Sequence, residues 1–188
     1  MKKITKALAG NNGLIAVCIA AFLLGIPAGY ALYDNAESML LPVLKQLKDM
    51  ILQESNLETA LNIFYNNYKV SVYLVVAGTL IAPTLLIMFS NGFIMGFVIK
   101  YLQKEDKGLL YFMKGVTLHG IFELPAIFIA GAIGLRIGLS FLTTDNRKRA
   151  RDVSKSLKEA AVIHVLLVTP LLLIAAFIEA YVSAALVK

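Results

Sequence analysis

Four long apolar runs dominate the chain: Gly13 to Tyr33, Val70 to Tyr101, Leu109 to Leu142 and Ala160 to Val187. Each matches or exceeds the roughly 20 residues that a helix needs to cross a hydrocarbon core. None alternates apolar and polar residues as a barrel strand does, and lipid accepts only helices or closed barrels, so the spanning elements are helices. The segment between the first two runs is patterned differently. From Ala36 to Leu61, apolar residues at Met39, Leu40, Val43, Leu44, Leu47, Met50, Ile51 and Leu57 recur at helical spacing with polar residues between them. This predicts an amphipathic helix outside the membrane, packed over its own bundle, laid on the membrane surface or docked on a partner. Asn66-Asn67 supplies turn-forming residues before the next span.

Two of the apolar runs carry interruptions. The second contains Pro83 and then Ser90-Asn91-Gly92, and the third contains His119 and Glu123 one helical turn apart, followed by Pro125. Pro125 lacks a backbone donor and clashes with the carbonyl of Ile121, which predicts a break beside Glu123. Neither Leu109 to Leu124 nor Pro125 to Leu142 comfortably reaches the length of a span. The expectation is a bent or re-entrant hairpin with its corner near Glu123 and Pro125, with a single tilted crossing as the alternative. Two successive broken helices are a transporter layout, in which half-helix ends meet near the midplane. The expected fold is an all-α polytopic transmembrane helical bundle with broken or re-entrant helices and an amphipathic outer helix, forming one integral membrane domain over residues 1–188.

Composition supports that class, with 59% hydrophobic and 16% charged residues. Charge then orients it, because Lys and Arg in short flanking loops prefer the cytoplasm. From Asp34 to Lys69 three cations (Lys45, Lys48, Lys69) meet five anions (Asp34, Glu37, Asp49, Glu54, Glu58), so this loop reads as outside. From Asp145 to Lys158 six cations (Arg147, Lys148, Arg149, Arg151, Lys155, Lys158) meet Asp145 and Asp152, which reads as cytoplasmic. Lys100, Lys104, Lys107 and Lys114 also favour the inside. With both basic loops on one face, the run between them would cross twice or not at all. The three lysines in Met1 to Lys6 resemble the start of a signal peptide, but Gly13 to Tyr33 outruns an h-region of about 7–15 residues, so we read a retained span with a cytoplasmic N-terminus in the cell membrane. The basic loop suits membrane lipids with anionic head groups. It has no interleaved aromatic residues, which argues against nucleic acid. Cys18 has no second cysteine to pair with and reads as a small core residue.

The candidate chemistry is intramembrane and polar. His119 and Glu123 share a helix face, and Glu179 in the last run is a third donor, a nitrogen-and-oxygen set that suits zinc or another divalent metal. Three protein ligands would leave the fourth position open, as in catalytic sites. His164 lies about 22 Å from Glu179 along a straight helix and falls outside that set. The alternatives are a hydrogen-bonded His119 with Glu123 protonated or paired, holding the helix together, and a proton or ion path through the same carboxylates. Arg136 is expected to snorkel to the interface or to pair with Glu123 or Glu179. Gly25 and Gly29, Gly92 and Gly96, Gly134 and Gly138, with Gly131 beside them, permit close helix contact inside the chain or in a homodimer. The chain has no His-Glu-x-x-His, no G-x-S-x-G elbow and no phosphate-binding glycine loop. A non-enzymatic role is therefore expected, with a metal-dependent hydrolase open only through an unfamiliar metal arrangement.

The stretch His119-Gly120-Ile121-Phe122-Glu123-Leu124-Pro125-Ala126-Ile127, continuing through Ile129-Ala130-Gly131-Ala132 to Gly134-Leu135-Arg136-Ile137-Gly138, resembles the stage II sporulation protein M family. The resemblance extends to Asn91-Gly92, Gly96 and Ile178-Glu179-Ala180-Tyr181, and so covers nearly the whole chain from Gly13 onward. It implies a polytopic membrane protein that, in spore-forming bacteria, anchors and localises a peptidoglycan-degrading complex during engulfment. Partners among membrane or cell-wall-associated proteins follow from the same resemblance. Three functions stand at this point: a scaffold, a metal-binding protein using His119, Glu123 and Glu179, and an ion or small-solute transporter using the same cluster.

Overall fold

The computed structural model describes residues 10–107, 109–142 and 145–183, with the side chains of 48, 109–119, 146–147 and 183 outside the description. Its elements are α1 (Asn12–Ala31), α2 (Tyr33–Ile51), α3 (Asn56–Ala77), a 3₁₀ turn (Gly78–Leu80), α4 (Ala82–Lys104), α5 (Leu109–Phe141), α6 (Asn146–Ile163), a π-helical turn (His164–Val168), α7 (Thr169–Ile178) and a second π-helical turn (Glu179–Ser183). No strand occurs among the described residues. Four stretches are long and apolar enough to cross a membrane: Asn12–Ala31, Ala82–Lys104, Gly120–Phe141 and Lys148–Val182. The protein is thus an all-α membrane bundle.

Glycine sets the directions of the helices. A Cβ at Gly92 would collide with the backbone of Phe22 and one at Gly96 with that of Ile26, while Gly25 and Gly29 abut the backbones of Phe89 and Phe93. Residue numbers therefore rise together along the seam, and α1 and α4 run parallel. Gly134 lies on the backbone of Leu74, and Gly138 on that of Gly78, so α3 and α5 form a second parallel seam. In both places the missing side chain lets backbones approach closely, which is how helices attract one another where lipid removes the hydrophobic drive. These glycines are occupied inside the chain. Because α1 and α4 share a direction, α3 must return between them, and α5 then runs back before the long helix α6–α7 completes the bundle.

This topology corrects two expectations. The third apolar run is one continuous helix through Pro125, with no corner at Glu123. Breaking there would expose backbone groups to lipid, whereas neighbouring helices in a bundle tolerate a proline inside a span. Since α5 crosses once, the two basic loops lie at opposite ends. Arg136, near the end of α5, reaches Gly10 and Asn11, and Gly138 meets Gly78 and Ile81, so residues 10–11, 78–81 and 145–158 share an end. Lys100 and Lys104 sit at the other end with α2, where they stack on Tyr30 and Tyr33 at 4.8 and 4.6 Å. Lys104 also pairs with Asp34 and Glu37. A lysine already held by carboxylates and rings is a poor guide to orientation.

The expected break in the second run is real, but it lies at 78–81, just before Pro83. Pro83 occupies the first turn of α4, where its missing donor costs nothing. Ile81 takes φ 59°, a strained position for a β-branched residue. Thr84 Oγ1 donates to the Leu74 carbonyl at 3.1 Å and bridges the break. The Ser90-Asn91-Gly92 stretch, in contrast, is helical throughout. In the last run Pro170 cannot donate a hydrogen bond to Leu166, and a wider π-helical turn at His164–Val168 precedes it.

Apolar side chains fill the centre: Cys18, Leu74, Met88, Ala130, Val168 and Leu172 are fully buried and belong to one cluster. Cys18 is a free core thiol, as expected. The amphipathic helix ends at Ile51, sooner than the stripe suggested, and Leu57 belongs to α3. Gln53 N–H donates to Thr59 Oγ1 at 2.9 Å, which closes the corner.

Candidate functional site

The carboxylates singled out by sequence come together, and they do so across helices. Glu123 on α5 and Glu179 in the second π-helical turn are half-buried electrostatic neighbours. The two elements pack in the half of the bundle nearer α2, where Ala60 and Ile63 of α3 also meet Ala176 and Ala180. Helical spacing brings His119 to the face of Glu123. Its side chain lies outside the described residues, so the three-donor set is seen only in its two carboxylates. Among the described residues no group of three or more His, Cys, Asp and Glu gathers.

Arg136 joins neither carboxylate. Its Nη1 donates to the Gly10 carbonyl at 3.0 Å and to Asn11 Oδ1 at 3.3 Å, while its Nε lies 3.8 Å from Glu159 Oε2. Glu159 also faces Lys155 at 3.9 Å. One guanidinium thus ties the start of α1 to α5 and α6, at the end of the bundle where water can share the charges. Depth explains why the expected partners were wrong, since Glu123 lies more than three turns from Arg136 along the same helix, about 20 Å at 1.5 Å per residue. Asn91 turns inward on its own helix, its Nδ2 donating to the Ile87 carbonyl at 2.8 Å. Pro125 is exposed and lines an apolar groove of about 650 Å³ with Ile15, Ile19, Met95, Ile121 and Phe128. Such a lining offers nothing to a polar solute. Gly131 packs against Met88 and Cys18.

Sequence reasoning missed a third polar contact. His164 Nε2 lies 2.9 Å from Ser71 Oγ, and both groups are buried. Ser71 spends its only proton on the Tyr68 carbonyl at 2.7 Å, so His164 is the donor in the pair. Tyr68 meets the imidazole edge-on at 5.4 Å, and Thr169 Oγ1 donates to the His164 carbonyl at 3.0 Å. With Ser71 fully buried and its proton committed, the pair bonds α3 to the last helix and is no nucleophile with its base. A serine and a histidine 93 positions apart carry no local signature of this contact.

The outer helix α2 is held at its two ends, by Tyr33 at the start and by Ile51 at the finish, and it carries an exposed stripe between them. The Ile51 carbonyl accepts from Asn62 Nδ2 at 3.3 Å, and its side chain packs beside Ala60 and Ile63. Tyr33 is buried, stacks on Phe97 at 4.6 Å and donates to Glu37 Oε1 at 2.7 Å. The hydrogen bond from Lys104 holds the Asp34 carboxyl below the usual carboxylate range, so this clamp is complete above that range and is lost as pH falls below it, through the lowered value. Beyond the clamp Met39, Val43, Leu47 and Met50 are 73%, 56%, 39% and 66% exposed, a continuous apolar stripe that the bundle does not cover.

The chain is similar over most of its length to a known protein family. The model of the family described as "Stage II sporulation protein M" matches residues 14–184. An uncharacterized protein of Methanocaldococcus jannaschii is 28% identical over 128 residues, which is 65% of this chain and 69% of the relative. No solved structure matches.

Proposed function

We propose that this chain, which belongs to the stage II sporulation protein M family, is a membrane-embedded anchor that holds a protein complex at the end of the bundle bearing α2. The observation that carries the reading is the clamped outer helix with its uncovered apolar stripe. A helix that only needed to close its own bundle would bury those residues. Here the clamp of Tyr33 and Lys104 fixes where the stripe points, and fixing a surface before a partner arrives lowers the ordering cost of binding. The partner is a protein of the membrane or the cell wall, engaged by helix-in-groove packing. A filled, apolar interior suits a rigid mount.

Charges placed in the stripe test this. Val43→Asp with Met50→Asp should move the protein from a larger complex to its free form on native gels of gently solubilised native membranes. The melting temperature of the purified protein should stay within about 2 °C of wild type, because surface changes rarely exceed ±0.5 kcal/mol. A complex that survives both charges would sink the anchor reading, since an interfacial helix would lose only lipid contact.

The apposition of Glu123 and Glu179 favours a second reading, a site for a metal or transported cation completed by His119. Two carboxylates facing one another inside a bundle repel when both are ionised, and a cation or a shared proton relieves that repulsion. Metal content by mass spectrometry checks it. Near-stoichiometric zinc or another divalent metal, lost in His119→Ala, Glu123→Gln and Glu179→Gln, would establish the site and open the assay for membrane hydrolysis. Folded protein without metal, alike in all four forms, would retire the metal.

A further inference from the structure

We propose that the cleft between the end of α5 and the outer turns of α6 is a binding site for an anionic phospholipid. The helices meet tightly where Ile133 and Ile137 pack on Ala160 and Ile163. One turn further out they part. Phe141 and Leu157 stay 47% and 49% exposed instead of closing on each other. The space left is a groove of about 610 Å³ with Phe141, Val153 and Leu157 as its floor and Arg149, Ser154 and Lys158 at its rim. The α6 residues that line it, from Arg149 through Lys158, all fall on one face of the helix.

Depth and charge select the occupant. Phe141 ends the apolar span Gly120–Phe141, so the floor lies where hydrocarbon gives way to head groups. Arg and Lys stems extend along apolar surface while their charged heads reach outward, which sets Arg149 and Lys158 at phosphate level above that floor. Next to Lys158 along α6, Glu159 is engaged by Arg136 and Lys155, and Asp152, three residues after Arg149, is not part of the groove lining. Among the described residues no carboxylate pairs with Lys158. A soluble phosphate or a nucleic acid would find the cations but leave the floor bare. A phospholipid with a net negative head group uses both parts, its phosphate at the rim and an acyl chain against Phe141 and Leu157. This goes beyond the anchor role and lies at the opposite end of the bundle from α2.

Native mass spectrometry of protein in neutral detergent, titrated with phosphatidylglycerol or phosphatidylcholine, reads the site directly. Wild type should retain phosphatidylglycerol in preference to phosphatidylcholine. Arg149→Gln with Lys158→Gln should weaken that retention about 30-fold, from roughly a factor of five or six per cation near a lipid surface. Ala150→Phe, which fills the groove without changing charge, should weaken it as well. Arg151→Gln with Lys155→Gln removes the same charge from elsewhere on the helix and should leave most of it. Equal losses from the two charge pairs would mean general attraction to a basic helix and would overturn the site, as would full retention in Ala150→Phe or no preference between the lipids. A dimer that Ala150→Phe dissociates would identify a second copy as the occupant and overturn it too. Circular dichroism and gel filtration of each variant confirm that the comparison is between folded proteins.

Discussion

Replacing Gly96 by leucine should strongly destabilise the folded state. The new Cβ would overlap the carbonyl of Ile26 and press on Tyr30, and a backbone carbonyl cannot rotate away as a side chain can. Overpacking an ordinary core costs about 1–3 kcal/mol. Here the clash is with a helix held at three further glycines, Gly25, Gly29 and Gly92, so the cost should reach or exceed about 3 kcal/mol, a large part of a typical stability. Gel filtration in detergent after a temperature ramp measures it, and the variant should lose its monodisperse peak at temperatures where wild type keeps it. Gly13→Leu is the matched control, because nothing lies within 4 Å of a Cβ there. If Gly96→Leu melts with wild type, the parallel packing of α1 on α4 is wrong.

His164→Ala should be the next most damaging change, at about 2–3 kcal/mol. The loss combines a cavity against Tyr68 with a buried hydrogen bond. Ser71→Ala should cost less, about 1–2 kcal/mol, because it leaves the buried His164 N–H without its acceptor but opens no ring-sized cavity. The double variant separates bond from bulk. A coupling of about 1 kcal/mol between the two sites is expected from thermal or denaturant unfolding in detergent, because each change removes the same interaction. Strict additivity would mean that the imidazole is held by its packing and not by the serine.

What could be read from the chain follows from what each signal depends on. Apolar length is local, and each of the four long runs supplied a helix that can cross a membrane, the second only from Ala82 onward, with the first ending near Tyr33 as anticipated. The stripe from Met39 to Met50 was legible for the same reason. Pro83 marked the break, but prolines did not act alike: Pro83 starts a helix, Pro125 sits inside one and Pro170 follows a π-helical turn. Whether a proline ends a helix depends on what its neighbours do for the freed carbonyl, and that is a tertiary fact. Charge counting put Lys100 and Lys104 on one face with residues 145–158, whereas the two groups lie at opposite ends, and it could not see Tyr30, Tyr33 and Asp34 beside the lysines. Glu123 and Glu179 stood out because carboxylates are rare in such surroundings, and their meeting was foreseen. Ser71 and Glu159 did not stand out, since a serine in a span and a glutamate in a basic helix are unremarkable until their partners are known.

The parallel seam between α1 and α4 also imposes an order in time. Tyr30 and Gln103, which bond across it, are 73 residues apart. At roughly 5–20 residues per second, about 4–15 s of synthesis separate them. During that interval α1 enters the bilayer as a lone helix whose glycine strip faces lipid, and α3 arrives before the strand of chain that will cover it. The first half of this protein is therefore inserted before it is assembled, and the step that makes it one structure is the late docking of α4 onto a helix already in place.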